Sequence, residues 1–423
     1  MKEIDAYIYG KKIGTMLEYD GFIWFEYDKK FKLDSLEISP IKMPTKKFST
    51  PQTNQEHKDL YKGMFGVFFD SLPDKHGMPF IDRYFEKKDK KPYEINLLDK
   101  LAFIGNRGMG AIEYIPQEKD DTISSDFIVN AKEAYEQMKE NIQSNNSSIQ
   151  SLMNIRDNVS PIGGGRPKML IQYNYKTNKI RLNSSNLYKD FTRAIIKFDE
   201  IYEGVGSIRL TTLEYIFMTM AKKAGINTAQ FELIFENKAK HLLVKRFDRD
   251  EDDEKIHMCT ASGLMHIDIS IPQATSYEYL FILTRKLCKN QKDIEELYKR
   301  MIFNILIFNF DDHAKNFAYL MDKEGKWSLS PAYDITYSKG QARQHLTTIA
   351  GKALDITRAD VLEIAKRQTI RLSIAKKIID DCIEVVKTFK ETAQAVGLDE
   401  EEISNCWLDI QSQIELLKTK SEY

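Results

Sequence analysis

A short polar segment between two apolar ones constrains the fold of this chain more than any other feature. Residues 301–310 are mostly apolar, residues 311–316 are mostly polar, and apolar residues resume at 317–321. Burying such a polar segment is costly unless each group is paired or coordinates an ion. The pattern therefore predicts a buried helix that ends in a loop of paired or ion-binding groups.

The segment that follows predicts where these polar side chains meet. Residues 317–330 have the pattern of a β-hairpin with a polar turn, and such a hairpin places the start of its first strand beside the end of its second. Asp311 and Asn316 precede the hairpin and Asp334 follows it, so the three side chains should converge. Clustered oxygen ligands of this kind suit a hard cation such as Mg²⁺.

The spacing within the polar segment is that of a protein-kinase catalytic loop. In such loops an Asp accepts the proton of the substrate hydroxyl and an Asn five residues later binds metal, which matches Asp311 and Asn316. Asp334 stands where kinases have the Asp of their D-F-G motif. Phosphoryl transfer depends mainly on positioned oxygens, metal and cations. A simpler interpretation, in which each Asp only caps a turn, is open for any one of them taken alone.

A lysine upstream is the candidate for the nucleotide half of the site. Lys197 lies in a short predicted strand, where a kinase lysine reaches the α- and β-phosphates and pairs with a glutamate on a helix. Glu214 is the candidate partner, on a helix predicted over residues 212–224. Thr211 to Glu214 also has the spacing of a capping box, in which the glutamate only closes the helix N-terminus. The two interpretations of Glu214 are both open at this point.

A glycine-rich segment lies before the lysine. Gly163, Gly164 and Gly165 could let backbone N–H groups approach phosphate oxygens closely. The segment matches neither G-x-x-x-x-G-K-[ST] nor G-x-G-x-x-G, so by itself it indicates no more than a turn. Further on, residues 242–249 form an apolar strand that runs into charge. By spacing alone, an ordinary strand end with solvated charges is the favoured interpretation there.

Composition excludes several other classes. The 62 Lys and Arg nearly cancel the 63 Asp and Glu, and no basic arm is present, so DNA contact would need a partner or a local patch. The N-terminus lacks the apolar core of a signal peptide, and the four cysteines are widely spaced. These features predict a cytoplasmic protein with reduced thiols and no zinc site.

Four regions are predicted along the 423 residues, and together they indicate the α+β class. Residues 1–118 form a β-rich domain, and residues 119–150 a helix that begins after Asp126 and then a polar linker. Residues 151–250 form a second β-rich part with the glycine-rich loop, and residues 251–423 a helical part with the polar loop. The juncture of a β-rich and an α-rich half is a natural place for a ligand cleft.

At six motifs the chain resembles the HipA family, the kinase toxins of type II toxin–antitoxin systems. The matching motifs are Leu97–Gly110, Gly163–Lys168, Ile196–Lys197, Val244–Arg249, Asp311–Phe317 and Pro331–Ile335. The match covers nearly the whole length, and the last two motifs are the most specific. The resemblance implies a HipA-like fold, with a β-rich N-terminal domain followed by a protein-kinase-like two-lobed region whose C-terminal lobe is helical.

The resemblance also implies an activity and the residues that carry it. Members of the family are serine/threonine-protein kinases that use ATP and Mg²⁺. The position of Asp311 is that of the catalytic Asp, those of Asn316 and Asp334 bind metal, and that of Lys197 contacts ATP phosphate.

Further positions of the nucleotide site follow from the same resemblance. Backbone groups at the positions of Lys245 and Phe247 hold adenine in relatives, and Lys168 and Tyr333 are expected in the nucleotide-binding set. Relatives phosphorylate translation enzymes such as aminoacyl-tRNA synthetases. A small helix-turn-helix antitoxin, HipB-like, binds them and represses their operon, so contact with DNA is expected through that partner alone.

Three positions depart from the family pattern. Asp312 stands where glycine is common, which should add charge beside the catalytic Asp. Lys245 stands where glutamate is frequent, which is harmless if only its backbone is used. Relatives can silence themselves by phosphorylating a serine in the glycine-rich segment. Ser160 is the candidate, although an ungapped count puts Pro161 at that place.

Two alternative functions share these residues. A kinase of small molecules would use the same site chemistry, and a catalytically silent module would keep the fold only for antitoxin binding and regulation. The target protein, the toxicity of the chain and its oligomeric state do not follow from the sequence.

Overall fold

Two compact units make up the chain. The computed structural model describes residues 2–73, 77–117, 128–136, 168–182, 186–199, 209–340 and 343–418. The first unit comprises Met1–Phe198, Leu243–His266 and Leu320–Lys326, and the second comprises Asp199–Leu242, Ile267–Tyr319 and Trp327–Tyr423. Both contain helices and strands, in agreement with the predicted α+β class.

The secondary structure elements are numbered in chain order over the described residues. The α-helices are α1 (Lys58–Tyr61), α2 (Gly66–Phe69), α3 (Met78–Lys87), α4 (Leu97–Ile104), α5 (Leu210–Lys223), α6 (Ala261–Met265), α7 (Tyr277–Cys288), α8 (Gln291–Leu306), α9 (Arg358–Arg367), α10 (Leu372–Lys387), α11 (Phe389–Val396) and α12 (Glu400–Lys418). The strands are β1 (Glu3–Ile8), β2 (Lys11–Tyr19), β3 (Phe22–Tyr27), β4 (Ile112–Ile115), β5 (Ile128–Val129), β6 (Lys168–Asn174), β7 (Lys179–Leu182), β8 (Thr192–Lys197), β9 (Phe231–Glu236), β10 (Ala239–Lys245), β11 (His257–Thr260), β12 (Thr275–Ser276), β13 (Ala318–Met321), β14 (Trp327–Leu329) and β15 (Thr347–Thr348).

The first unit opens with an antiparallel sheet in the order β3-β2-β1-β4. Two-residue turns join its first three strands, and Tyr9, Gly10, Asp20 and Gly21 in these turns all have positive φ. Positive φ at both turn residues defines the type I′ hairpin, whose twist matches that of the strands. The first three strands therefore form two consecutive hairpins.

A second antiparallel sheet of the first unit has the order β5-β7-β6-β8. The residue after β10 continues it, because the backbone N–H of Arg246 donates to the carbonyl of Arg193 at 3.0 Å. Strand β5 lies where the helix predicted after Asp126 was expected to begin, and the described residues are helical from 131 to 136. Asn130 caps this helical segment, since its Oδ1 accepts from the backbone N–H of Glu133 at 2.8 Å.

The second unit is mainly helical. Helix α8 is its central element and is buried over most of its length, with α7, α10 and α12 packed against it. Between α8 and α9 the chain forms the β13–β14 hairpin, where the N–H of Ser330 donates to the carbonyl of Ala318 at 3.0 Å. The hairpin predicted over residues 317–330 is thus confirmed. Strands β12 and β15 form a short parallel pair.

The four cysteines are buried as thiols rather than disulfides, as the sequence predicts. Burial raises the pKa of Cys382 and Cys406 to about 12, so these thiols stay protonated and unreactive at neutral pH. None of the helices in the described part of the chain combines the length and apolar character that a bilayer crossing requires.

Two buried histidines of the first unit give an expected pH dependence. Burial lowers the pKa of His257 and of His266 to about 4, against about 6.5 in an unfolded chain. Between these values the unfolded chain binds protons that the folded protein does not, so stability falls as the pH falls from about 6.5 to about 4. We expect each histidine to contribute roughly 2–3 kcal/mol to this loss, which urea unfolding at a series of pH values measures.

A matched pair of variants tests this expectation. His257→Gln should flatten the dependence, because the glutamine amide can still donate to the Ile38 carbonyl, which lies 3.3 Å from the His257 Nε2. His57→Gln, at an exposed site of the same unit, should leave it as in the wild type. Equal slopes for His257→Gln and the wild type would contradict the expectation.

Candidate active site

Helix α8 leads into the predicted catalytic loop and ends in a Schellman cap. Phe308 has φ +53°, and the backbone N–H of Asn309 donates to the carbonyl of Asn304 at 3.0 Å, as that cap requires. An apolar contact usually joins the residues at these two positions. Here Asn309 Nδ2 donates to Asn304 Oδ1 at 3.1 Å instead. A non-glycine residue in the left-handed region costs about 1–2 kcal/mol, so the surrounding contacts must hold this bend.

Hydrogen bonds fix the loop at its start and close it at its end. The backbone N–H of Phe310 donates to the carbonyl of Ser338 at 2.9 Å. Asn316 Nδ2 donates to the backbone carbonyl of Asp311 at 2.8 Å. The Asp311 side chain is 56% exposed, and His313 Nε2 lies 3.8 Å from its Oδ1. The predicted catalytic carboxylate therefore stands half in solvent on a loop whose backbone is held.

Asp334 lies in a segment that is anchored upstream. The backbone N–H of Ala332 donates to the carbonyl of Asn227 at 2.7 Å, and Arg300 of α8 donates to the carbonyl of Ser330 at 2.7 Å. Asp334 itself has φ +53°. Aspartate and asparagine tolerate this region better than other non-glycine residues, and backbone held there by its surroundings is concentrated at functional sites.

Two contacts join the Asp334 segment to the predicted catalytic loop. The Tyr333 hydroxyl donates to the carbonyl of Lys315 at 2.6 Å, and Asn309 Nδ2 lies 3.5 Å from the Asp334 carbonyl oxygen. Tyr333, which precedes Asp334, is thus hydrogen-bonded to Lys315, which precedes Asn316. These residues belong to one region of the second unit, and the sharing of a cation by their side chains stays a prediction.

The possible metal ligands in this region fit magnesium better than a metal that takes all its ligands from the protein. Among the residues the structure describes, no three His, Cys, Asp or Glu side chains are grouped so as to hold a metal. Mg²⁺ commonly takes few ligands from the protein and the rest from water and substrate phosphates. Asn316 and Asp334 suit that pattern, because the Asn316 Nδ2 is used by the loop backbone and its Oδ1 is the atom left to act as a ligand.

Asp312 does not add an exposed charge beside Asp311, contrary to the sequence expectation. Its side chain is fully buried. The carboxylate lies 2.9 Å from His345 Nδ1 and accepts from the backbone N–H groups of Leu346 and Thr347 at 2.9 and 3.1 Å. The charge is therefore satisfied inside the second unit, and Asp312 holds a later segment of the chain rather than acting on a substrate.

In the first unit, Lys197 and Lys168 lie side by side. Both are strand residues, and they are directly opposite each other across the β6–β8 ladder, so their side chains are on the same face. Lys197 is buried. Like charges placed opposite each other are destabilising unless anionic groups compensate. Gly163, Gly164 and Gly165 lie outside the described residues, as does Ser160.

The strand end after β10 carries the two residues of the adenine prediction. Lys245 is the last residue of β10 and Phe247 follows it in a bend, and the N–H of Arg246 between them donates to the carbonyl of Arg193 at 3.0 Å. The Lys245 ammonium lies 3.5 Å from Glu251 Oε1. The roles of both residues in binding adenine stay predictions.

Glu214 does not belong to a capping box. Helix α5 starts at Leu210, two residues before the predicted start, without a side-chain cap. The Thr211 hydroxyl donates instead to the carbonyl of Lys240 at 2.8 Å. Glu214 is buried within the helix. The interpretation of Glu214 as a capping-box residue is therefore excluded. Its pairing with Lys197 stays a prediction.

A buried ionic cluster is the largest feature that sequence reasoning missed. Asp248 accepts from Arg246 at 2.9 and 2.6 Å, from Arg249 at 2.9 Å and from the N–H of Gly110 at 2.7 Å. Arg246 also donates to the carbonyl of Gly108 at 3.2 Å. Burial alone would raise the pKa of Asp248, but these two arginines and the N–H of Gly110 lower it well below its usual value. The interpretation of this strand end as solvated charge was therefore wrong.

The cluster joins two of the motifs that carry the resemblance. The loop at residues 105–110 is tied to the segment after β10 within the first unit. A side chain at Gly110 would meet the Met258 backbone at 2.8 Å, and the φ of Gly110 is +76°. Both conditions require glycine there. The Leu97–Gly110 and Val244–Arg249 motifs are thus packed together within the first unit.

Family models match both parts of the chain. The HipA-like C-terminal domain matches residues 160–414 and the HipA N-terminal domain matches residues 4–115. Sheet-rich and helical parts in this order, with a loop of kinase spacing inside the helical part, define a two-domain protein of HipA architecture. The chain belongs to the HipA family.

Individual relatives and a solved structure agree with this assignment. The chain is 26% identical over 220 residues to Y4mE of Sinorhizobium fredii, a protein named as a kinase, covering 47% of this chain and 49% of that protein. It is 25% identical over 195 residues to the serine/threonine-protein kinase toxin HipA of Shewanella oneidensis, covering 41% and 42%. The matched regions thus span about half the length of these relatives or less.

The structural likeness extends over the whole chain. A chain in the structure of the Shewanella oneidensis MR-1 toxin–antitoxin system, a complex of HipA, HipB and operator DNA, superposes with a TM-score of 0.71 at 18% identity. The superposition covers 98% of this chain and 97% of that one. At this identity the likeness establishes the fold.

Proposed function

We propose that this chain is a cytoplasmic serine/threonine-protein kinase toxin that transfers the γ-phosphate of ATP to a hydroxyl group of another protein. The observation that carries the proposal is the pair of contacts that join the Asp334 segment to the loop of Asp311 and Asn316. Relatives named as kinases support it. Transfer of phosphate needs this kind of preset geometry more than it needs covalent chemistry from the protein.

The roles of the loop residues follow from their chemistry. Asn316 and Asp334 would hold Mg²⁺, which when bound neutralises charge on the phosphate oxygens. Asp311 accepts the proton of the substrate hydroxyl while the hydroxyl oxygen forms its bond to the γ-phosphorus. The bond between the γ-phosphorus and the oxygen that bridges it to the β-phosphate breaks, and ADP leaves. The half-exposed position of Asp311 gives a protein substrate access to the carboxylate.

The nucleotide-binding residues supply positive charge and backbone polarity. Lys197 and Lys168 share one face of the ladder, and phosphate oxygens are the anions that suit two adjacent ammonium groups. The remaining assignments rest on family likeness. Lys245 and Phe247 bind adenine, the three glycines at 163–165 bind phosphate, and Tyr333 contacts the nucleotide. Glu214 orients Lys197.

Partners are proposed on the same basis. The superposed structure is a complex of HipA with HipB and operator DNA, so we propose a small helix-turn-helix antitoxin as the partner of this chain. A translation enzyme such as an aminoacyl-tRNA synthetase is the proposed substrate class. Ser160 is the candidate site of autophosphorylation.

One experiment tests the proposal against its alternatives. The purified chain is incubated with Mg²⁺ and [γ-³²P]ATP in a bacterial lysate, and the label is followed in proteins and in metabolites. Label on serine or threonine of a protein supports the proposal. Label on a metabolite alone would identify a small-molecule kinase, and absence of Mg²⁺–ATP binding by calorimetry would identify a silent binding module.

Asp334→Asn should weaken magnesium-dependent nucleotide binding without disturbing the backbone. Asparagine tolerates the left-handed φ of +53° at this position but removes the charge that a cation needs. We expect the affinity for Mg²⁺–ATP to fall at least about tenfold, as one lost charge-assisted contact implies, while the thermal midpoint stays near that of the wild type. Calorimetric titration with Mg²⁺–ATP measures the change.

Asp355→Asn is the matched control for that experiment. Asp355 is exposed in the same unit and has φ +52°, so the two substitutions make the same backbone and charge change. Nucleotide affinity should be unaltered by Asp355→Asn. Wild-type affinity in Asp334→Asn would remove Asp334 from the metal set.

A further inference from the structure

Five buried polar side chains form a continuous chain in the second unit, which we call the buried polar chain. Its members are at most 5% exposed and are His345, Asp312, Tyr277, Asn304 and Asn309. Two of them, Asn309 and Asp312, flank the predicted catalytic Asp311 in sequence. The other three come from α7, α8 and the segment before β15.

Three links of the buried polar chain are polar contacts, and the fourth, between Asp312 and Tyr277, is electrostatic. His345 Nδ1 lies 2.9 Å from Asp312 Oδ2. Burial and the nearby Asp312 carboxylate raise the pKa of the Tyr277 hydroxyl well above its usual value. Asn304 Nδ2 donates to the Tyr277 oxygen at 3.0 Å. Asn309 Nδ2 donates to Asn304 Oδ1 at 3.1 Å. The chain of contacts therefore runs from one side of Asp311 through the interior to the other.

Both ends of the buried polar chain reach backbone that borders the site. At one end the Asp312 carboxylate accepts from the N–H groups of Leu346 and Thr347 at 2.9 and 3.1 Å. At the other, Asn309 Nδ2 lies 3.5 Å from the carbonyl of Asp334. The chain thereby joins the start of β15 to the predicted metal-binding segment.

An apolar core would satisfy this region more simply. Residues next to the chain on α7 and α8 are fully buried and apolar, among them Leu280, Phe281, Met301 and Phe303. Burying polar groups costs free energy unless every group is paired, whereas apolar packing has no such requirement. Hydrogen bonds have fixed directions. The hydrogen-bonded chain therefore holds its ends in one arrangement, which apolar packing would not fix, although the buried Asn309 Oδ1 accepts no hydrogen bond from the described residues.

We propose that the buried polar chain is the positioning device of the catalytic loop, and that Tyr277 and Asn304 are its positioning residues. The inference rests on the proposed kinase function for its effect on rate. Neither residue touches substrate: each fixes the loop backbone on either side of Asp311 and, through Asn309, the backbone of Asp334. A displacement of about 1 Å between reacting groups can reduce a rate about a hundredfold.

Tyr277→Phe removes one hydroxyl from the middle of the buried polar chain and is the primary test. The maximal rate of label transfer from Mg²⁺–[γ-³²P]ATP to lysate protein should fall at least about tenfold. The KM for ATP should rise by a smaller factor than the maximal rate falls, because the displaced loop carries the proton acceptor and the proposed phosphate and adenine contacts lie elsewhere, while Asp334 is held through its backbone alone. Asn304→Leu should act in the same direction. The double variant should lose little more than either single variant, because both break one chain.

Tyr298→Phe is the matched control. Tyr298 lies on α8, is fully buried, and donates to the carbonyl of Val361 at 3.0 Å, so its substitution removes a buried hydrogen bond of the same kind outside the buried polar chain. It should lower stability about as much as Tyr277→Phe and leave the maximal rate unchanged. If Asn304→Leu does not fold, the comparison of the two tyrosine variants decides the question.

Amide hydrogen exchange supplies a readout that does not depend on activity. In Tyr277→Phe, peptides covering residues 334–338 and 345–348 should exchange at least about tenfold faster than in the wild type, and in Tyr298→Phe they should not. Wild-type exchange in both peptides together with a wild-type maximal rate would overturn the positioning role. A silent wild-type enzyme with faster exchange in Tyr277→Phe would instead overturn the kinase proposal and leave the structural coupling established.

Discussion

Asp311→Asn is expected to abolish phosphate transfer while the protein stays folded and still binds nucleotide. The side chain is 56% exposed, so the substitution costs little packing, and Asn316 bonds to the backbone carbonyl of Asp311 rather than to its carboxylate. What is lost is the proton acceptor, which contributes roughly 10²–10⁴-fold in general base catalysis. Transfer of label from [γ-³²P]ATP to lysate protein measures this loss, and calorimetry measures nucleotide binding.

Asp381→Asn is the control for this variant. Asp381 is 53% exposed and makes an ion pair with Lys377 on a surface helix, so its substitution removes the same charge at the same exposure away from the site. It should leave transfer unchanged. Undiminished transfer in Asp311→Asn would remove Asp311 from the mechanism, and loss of transfer in both variants would point to a general effect of charge.

The polar loop at residues 311–316 and the hairpin after it were predictable because their signals are local. An apolar helix, a polar hexapeptide and an alternating hairpin occupy adjacent residues, and each follows a periodicity that the sequence displays. The convergence of Asp334 on Asn316 follows from hairpin geometry and agrees with the bond from Tyr333 to Lys315. The element boundaries were less predictable, as α5 shows by beginning two residues before its predicted start.

The partners of buried charges could not be predicted in the same way. Asp312 is satisfied by His345 and its two neighbours, more than thirty residues away, and Asp248 by Gly110, 138 residues away. A charged residue next to an apolar strand has the same local pattern whether it turns outward to water or inward to a partner. Only tertiary packing decides between the two, and the energetic preference for exposure made the outward interpretation the default.

Asp248→Ala is expected to destabilise the first unit severely. The carboxylate is fully buried and accepts four hydrogen bonds from Arg246, Arg249 and the N–H of Gly110. Its removal leaves two guanidinium groups in the interior without their counter-charge, which costs about 3–5 kcal/mol. For a unit of this size that corresponds to a fall of about 10 °C in the thermal midpoint. Scanning calorimetry measures it, with faster amide exchange at residues 105–110 as the local sign.

Two further variants distinguish the effect of the buried charge on stability from the effect of losing an aspartate at any position. Asp34→Ala removes a surface pair in which Lys11 Nζ lies 2.6 Å from the carboxylate, and such pairs contribute at most about 1 kcal/mol. The double variant Arg246→Met/Asp248→Leu removes both partners of the buried pair and should recover part of the stability, because apolar groups of similar volume leave fewer charges unpaired. If Asp248→Ala cost no more than Asp34→Ala, the cluster would not be what ties the N-terminal loop to the segment after β10. The joining of those two motifs would then rest on the close approach of Gly110 to the Met258 backbone.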